Sequence, residues 1–264
     1  MKRTRLLLTL LICTSIFACR KKSVHCGKEC TYEEELLFNF GFEDVILTQD
    51  GNKARIVGTD TAYSDHNVWE DFTNEENGSV LINYEGGDIS ERIAEIGPDP
   101  LNPQNNVLHY NIISPNVYEN DKPKKARIQT RFFTPGCIKE YYQKVDIYFP
   151  EDMTQLKDYP ESIYWLSIFE FWNNANWTDE KFPFRITVGL HKENGAGNEL
   201  NFNAEAQTFK RPNNFTNVWS ETATSFNIPF GQWMELEMYV LEGDESSGKF
   251  YMAVTPDGGT KEVL

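Results

Sequence analysis

The feature that most constrains this chain is its punctuation. Clusters of turn-forming residues interrupt the apolar segments throughout: Asp50-Gly51-Asn52, Asn77-Gly78, Gly86-Gly87-Asp88, Gly97-Pro98-Asp99-Pro100, Pro135-Gly136, Gly195-Ala196-Gly197-Asn198, Gly243-Asp244 and Asp257-Gly258-Gly259. Gly supplies positive φ and Pro fixes φ and removes a donor, so each cluster ends a regular element and leaves room only for short strands between them. The expectation is an all-β chain with few short helices. No stretch keeps helical spacing over three turns. Residues 88–96, with Ile89, Ile93 and Ile96, read as one short helix.

Strict alternation inside the segments assigns faces, because successive strand side chains point to opposite sides. Met234, Leu236, Met238 and Val240 oppose Trp233, Glu235, Glu237 and Tyr239, and the two glutamates with Tyr239 read as a solvated outer face. Leu200, Phe202, Ala204 and Ala206 oppose Asn201, Asn203, Glu205 and Gln207. Phe184, Ile186, Val188 and Leu190 oppose Arg185, Thr187 and His191, and Ile128 and Thr130 oppose Arg127, Gln129 and Arg131. Each of these strands has one face for a core. Residues 162–172 are apolar on both faces, as a central strand covered on each side would be. Two sheets packed face to face satisfy this pattern.

The N-terminus carries a different signal. Lys2, Arg3 and Arg5 precede an apolar run over 6–12 and a small residue, Ala18, before Cys19, which is the layout of a secretory signal over 1–18 and too short for a membrane span. Ile16-Phe17-Ala18-Cys19 resembles a bacterial lipobox, which implies cleavage before Cys19 and acylation of it. Residues 19–35 are polar, with a basic and then an acidic cluster, and read as a lipidated tether. The folded domain is then 36–264, read as truncated at its C-terminus because a strand starts after the Asp257-Gly258-Gly259 turn. Cys26 and Cys30 form a small disulfide loop or stay as two thiols in the tether. A zinc cluster with His25 lacks a second cysteine pair. The formal charge is −15, and it becomes −18 once residues 1–18, with three basic and no acidic residues, are removed. Such a balance argues against a nucleic-acid partner, which needs a basic face.

Several short runs then occur in a telling order: Phe38-Asn39-Phe40-Gly41-Phe42-Glu43-Asp44, Asp99-Pro100-Leu101-Asn102-Pro103-Gln104-Asn105-Asn106-Val107-Leu108, Ala126-Arg127-Ile128-Gln129, and Ile228-Pro229-Phe230-Gly231-Gln232-Trp233 leading to Gly248-Lys249-Phe250. Together they resemble, over 36–264, the concanavalin A-like jelly roll of bacterial polysaccharide lyases and related glycan-binding lipoproteins. The resemblance implies a two-sheet β-sandwich whose concave sheet holds a polysaccharide chain across its strands. Arg127-Ile128-Gln129-Thr130-Arg131 is similar to the Arg-x-Glu-x-Arg strand of alginate-lyase-like members, with Gln129 in place of Glu. There it would grip a uronate carboxylate. The strands aligned by order with the family's Gln-x-His and Tyr-containing strands read Ile168-Phe169-Glu170 and Phe202 through Gln207, and carry neither the His nor the Tyr.

Independently of any family, a sugar site needs flat aromatics for ring faces and polar groups for hydroxyls. Glu170 and Trp172 share a face, and the run 172–177 adds amides and Trp177. The glycan-binding candidates are therefore Arg127, Glu170, Trp172, Arg185, Asn203, Glu205 and Gln207. Catalytic candidates for β-elimination are His191, Gln129 and Arg131, with His191 or a Tyr as base. Against these stand plainer roles: a solvated basic strip for Arg127 and Arg131, a solvated loop residue for His191, a strand-end charge for Glu170. A glycosidase needs two carboxylates at matched separation, and no Glu-x-Asp-x-x-Glu run occurs. If this is an enzyme, a polysaccharide lyase fits better than a glycoside hydrolase. No cofactor is required. Asp244-Glu245 and Asp257-Gly258-Gly259 are turn residues first and structural-calcium ligands second. The reading is a lipid-anchored protein of the bacterial cell envelope, periplasmic or on the cell surface, engaging a polysaccharide or oligosaccharide by binding or cleavage. The alternatives are a uronate-cleaving lyase and a non-enzymatic envelope protein that meets a protein partner.

Overall fold

A computed structural model describes residues 8–27, 29–43, 45–50, 53–58, 80–85, 90, 92–112, 116–119, 122–125, 127–132, 140–172, 183–210, 214–244 and 246–264. Within these, the side chains of 8–40 and of some others, including Arg131 and Trp165, lie outside the described set, as do His66, Cys137 and the run 173–177 altogether. The strands in chain order are β1 (Leu8–Gly27), β2 (Glu29–Phe40), β3 (Val45–Asp50), β4 (Lys53–Gly58), β5 (Val80–Glu85), β6 (Arg92–Pro98), β7 (Asn106–Ile112), β8 (Asn116–Glu119) and β9 (Lys122–Lys125). They continue with β10 (Arg127–Phe132), β11 (Glu140–Tyr148), β12 (Ile163–Trp172), β13 (Phe184–Lys192), β14 (Asn201–Lys210), β15 (Asn214–Thr222), β16 (Trp233–Leu241), β17 (Lys249–Pro256) and β18 (Glu262–Val263). A 3-10 helix, Glu151–Asp158, follows Pro150 and buries Met153 and Leu156. The protein is all-β.

The largest sheet runs β18-β17-β16-β11-β1-β7-β6, with β2 paired to β1; two further sheets run β10-β5-β4-β3 and β12-β13-β14-β15, and β8 pairs with β9. Every pairing is antiparallel. One hydrophobic core draws on all three larger sheets: Ala54, Ile56 and Ile82 from one, Val188, Leu190 and Phe202 from another, and Val145, Ile147, Leu236, Met238 and Val254 from the largest. The alternating faces of β13, β14 and β16 are the ones the sequence assigns to the core, since Ile186, Val188, Leu190, Phe202, Ala204, Met234, Leu236 and Met238 are all buried.

Three motifs of the sequence meet near the end of the largest sheet. Phe42 is fully buried beside Glu43, whose Oε1 accepts the Asn106 backbone N–H at 2.9 Å. Asp99, itself buried, accepts the Trp233 indole N–H at 3.1 Å and the Leu101 N–H at 2.8 Å. Distant turns are thus fastened to strand ends by carboxylates accepting N–H groups, stronger links than neutral hydrogen bonds.

Three local expectations are corrected. Residues 92–98 are strand β6, paired residue for residue with β7 from Arg92 opposite Ile112 to Pro98 opposite Asn106, and not part of a helix. A ladder partner outweighs a helical spacing carried by three isoleucines. β12 ends its sheet instead of lying at the centre, and Tyr164 on it is 58% exposed. β1 lies between β11 and β7, with Leu8–Ile12 opposite Ile112–Leu108 and Cys19 opposite Tyr142. Finally, Glu237 is not on a solvated face.

Glu237 is 3% exposed. Its carboxylate accepts the Tyr142 hydroxyl at 2.6 Å, pairs with Lys261, and lies 3.7 Å from Lys144, which also bonds Glu235 at 2.8 Å. Burial works against its ionisation, but the hydrogen bonds from Lys261 and Tyr142 and the charge of Lys144 outweigh burial and hold its pKa below the ordinary 4.5. A pKa lower in the folded than in the unfolded chain contributes stability that is complete above the unfolded value and disappears as pH falls through the folded one. Glu237→Gln therefore narrows the gap to wild type in acid: in thermal melts from pH 7 to pH 3, the difference in midpoint shrinks below about pH 4.5. A difference constant over that range would remove the carboxylate from this role.

Candidate functional site

The sheet β12-β13-β14-β15 turns its apolar side to the core and a polar side outward. Register places the outward residues in rows across the strands. Trp172, Arg185, Gln207 and Asn217 form one row, Glu170, Thr187, Glu205 and Ser220 the next, and Ser167, Gly189, Asn203 and Thr222 the third. His191, opposite Asn201, stands at the far end. With about 6.8 Å between residues i and i+2 of a strand, Arg185 to His191 spans roughly 20 Å of polar face.

Local irregularity in β12 makes this face continuous. The register shifts between Ile163 and Leu166, and again between Ser167 and Phe169. Each extra residue flips the parity of the strand, so Tyr164, Ser167 and Glu170 all project to the polar side at a spacing of three. The Tyr164 ring lies 4.8 Å from that of His191 at an interplanar angle of 32°. Between them and β15 is a cavity of about 230 Å³ lined by Tyr164, Ser167, Thr187, His191, Asn203, Glu205, Ser220 and Thr222, among others. It is smaller than a drug-sized site of ~300–1,000 Å³ and has room for one sugar residue.

At one end of the face Arg185 donates to Gln207, Gln207 donates to Asn217 at 3.0 Å, and the Arg185 guanidinium lies 5.4 Å from the centre of the Trp172 ring. At the cavity, Asn203 donates to Ser220 at 3.3 Å, to the Glu221 carbonyl at 2.9 Å and to Thr222 at 3.0 Å. Also at the cavity, Thr187 Oγ1, His191 Nε2 and Glu205 Oε1 are buried without a hydrogen-bond partner. Buried polar atoms are satisfied in the great majority of cases, so three orphans lining one cavity mark a place where a ligand or water completes the bonding.

Of the residues singled out in the sequence, His191, Asn203 and Glu205 line this cavity, and Glu170, Trp172, Arg185 and Gln207 lie on the same face beside it. Arg127 and Gln129 do not join them. They lie on β10, in another sheet, where Arg127 donates to Gln129 at 3.1 Å; Arg131 is on the same strand, its side chain outside the described residues. Glu170 and Glu205 are separated by β13, about 10 Å between backbones, and Glu205 lines the cavity while Glu170 lies beside it. Among the described residues no three His, Cys, Asp or Glu side chains come together as a metal site. Asp244 is occupied otherwise: Ser246 and Ser247 donate to it through hydroxyl and backbone groups and hold its pKa at about 2.

Sequence reasoning did not select Tyr164, Gly189, Ser220 or Thr222. Thr187 was on the polar side of an alternating strand and Ser220-Glu221-Thr222 carries a similar alternation, so those signals were available. Tyr164 had none, because its face depends on the bulges. In comparisons with protein-family models, curated proteins and solved structures, this chain matches none of them.

Proposed function

We propose that this protein is a lipid-anchored protein of the bacterial cell envelope, held through Cys19, whose jelly-roll domain binds a polysaccharide along the polar face of β12-β15. One observation carries the reading: an aromatic platform, Tyr164 on His191, stands over a sugar-sized cavity whose walls hold three unpartnered buried polar atoms. Stacking on a flat ring and hydrogen bonding to hydroxyls are the two contacts a sugar residue offers, and both are present within one space. Binding is favoured over β-elimination because the arginine and glutamine that would neutralise a uronate carboxylate are on β10 and not on this face.

The test is a glycan array probed with the full chain recovered from the membrane fraction, alongside Tyr164→Ala. Tyr164 is exposed and fills no core space, so its loss spares the fold while removing the platform. Retention on the bound glycans is expected to fall at least tenfold, about 1.4 kcal/mol. Unchanged retention would take Tyr164 out of the site, and recovery of the protein only in soluble form would take away the anchor.

A further inference from the structure

The cavity's capacity for hydrogen bonds is lopsided. The amide hydrogens of Asn203 are consumed inside the site by Ser220, Glu221 and Thr222. What is left for a ligand is one fixed acceptor, Glu205 Oε1, with His191 Nε2 and the Thr187 hydroxyl able to act either way. Thr187 is 5% exposed, so its Oγ1 cannot rely on bulk water.

Charge is lopsided in the same direction. Glu205 has no ion-pair partner among the described residues, and Glu170 lies in its row. The neighbouring cations are otherwise engaged. Arg185, one row away, donates to Gln207 and lies over Trp172. Lys192 is fully buried on the core side of β13 and donates to the carbonyls of Glu193 and Gly195. His191 has Glu193 at 3.7 Å, a second carboxylate at the rim.

We infer that this cavity is a subsite for an uncharged, hydroxyl-donating sugar residue, and that it rejects uronate and sulfated sugars. The inference rests on the glycan reading and narrows it. A neutral sugar donates a hydroxyl to Glu205, exchanges bonds with His191 and Thr187, and lays a ring face on Tyr164. A carboxylate or sulfate in the same place meets Glu205 with no disengaged cation among the described residues to answer it, in a partly desolvated space where like charges are poorly screened. Selectivity of this kind comes from an unpaired charge set against the wrong ligand as much as from contacts to the right one.

Affinity electrophoresis tests it, with the full chain run at low salt through gels holding laminarin, xylan or mannan, and through gels holding alginate or polygalacturonate. The wild type is expected to be retarded by at least one neutral polymer and at least tenfold less by either polyuronate. Glu205→Gln, which keeps the shape and removes the charge, is expected to bring that ratio below about threefold. Glu262→Gln, the same change of charge at an exposed site on β18, is expected to leave the ratio as it is, which separates a local effect from the net charge of −15. Polyuronate retardation equal to or stronger than neutral, and sensitive to Tyr164→Ala, overturns the inference while keeping the glycan reading. So does a ratio that Glu205→Gln fails to move. Retardation by no polymer of either class overturns both.

Discussion

Phe202→Ala is expected to lower the free energy of unfolding by about 3–5 kcal/mol. Phe202 is 1% exposed on β14, with ring centroids 6.1 Å from Phe149 and 6.0 Å from Phe226. Phe149 lies in turn 6.3 Å from Phe230. The ring is therefore one member of an aromatic cluster that joins the sheet of the candidate site to the segments flanking the 3-10 helix and β16. Its removal forfeits transfer free energy and leaves a cavity that stiff neighbouring rings close only in part. For a chain of this size each kcal/mol moves the melting midpoint by about 2–4 °C, so a fall of roughly 10 °C is expected. Urea unfolding checks it, with the midpoint lowered and the slope unchanged. A loss under about 1 kcal/mol would show that this side of β14 is not packed as described. Glycan retention by the folded fraction should survive better than stability does, because Asn203 and Glu205 stand on the other side of the strand.

How far the sequence discloses this molecule depends on whether a strand keeps its period. β13, β14 and β16 alternate without interruption, and their buried and polar sides follow directly from residue order: Phe202 and Ala204 inward, Asn203 and Glu205 outward. The same regularity brought His191, Asn203 and Glu205 forward as candidates, and they line one cavity. β12 breaks its period twice, and there the pattern misleads. A run apolar at nearly every position suggests a strand covered on both sides, whereas the two shifts of register bring Tyr164, Ser167 and Glu170 to one polar side. Nothing in the sequence marks a bulge without glycine or proline. Pairing between sheets is equally hidden. Arg127 and Gln129 look like natural companions of His191 until register shows β10 beside β5, with Gln129 opposite Asn83. Glu237 shows a third limit, because its burial comes from Tyr142, Lys144 and Lys261, distant in sequence, converging on an outward position.

Gly189→Ala is the change that ties the fold to the site most directly. A methyl group at 189 would point to the polar side of β13 and lie 2.7 Å from the Leu166 carbonyl oxygen, 3.1 Å from its carbon and 3.2 Å from the Ser167 Cα. These are backbone atoms of the bulged stretch of β12, so no side chain can rotate away to admit it. β12 has to move outward as a unit, carrying Tyr164 and Ser167 with it. Overpacking of this sort costs about 1–3 kcal/mol. The sign is informative, since Gly→Ala where the backbone tolerates it stabilises by about 0.4–1 kcal/mol through the unfolded chain. A variant as stable as wild type, or more so, would mean that β12 does not lean over Gly189. The functional effect should exceed the structural one. At a temperature where the variant is fully folded by circular dichroism, its glycan retention is expected to fall at least as far as that of Tyr164→Ala, because both the platform and the cavity wall are displaced. Full retention in a destabilised but folded variant would show that the cavity between β12 and β15 is not where the sugar lies.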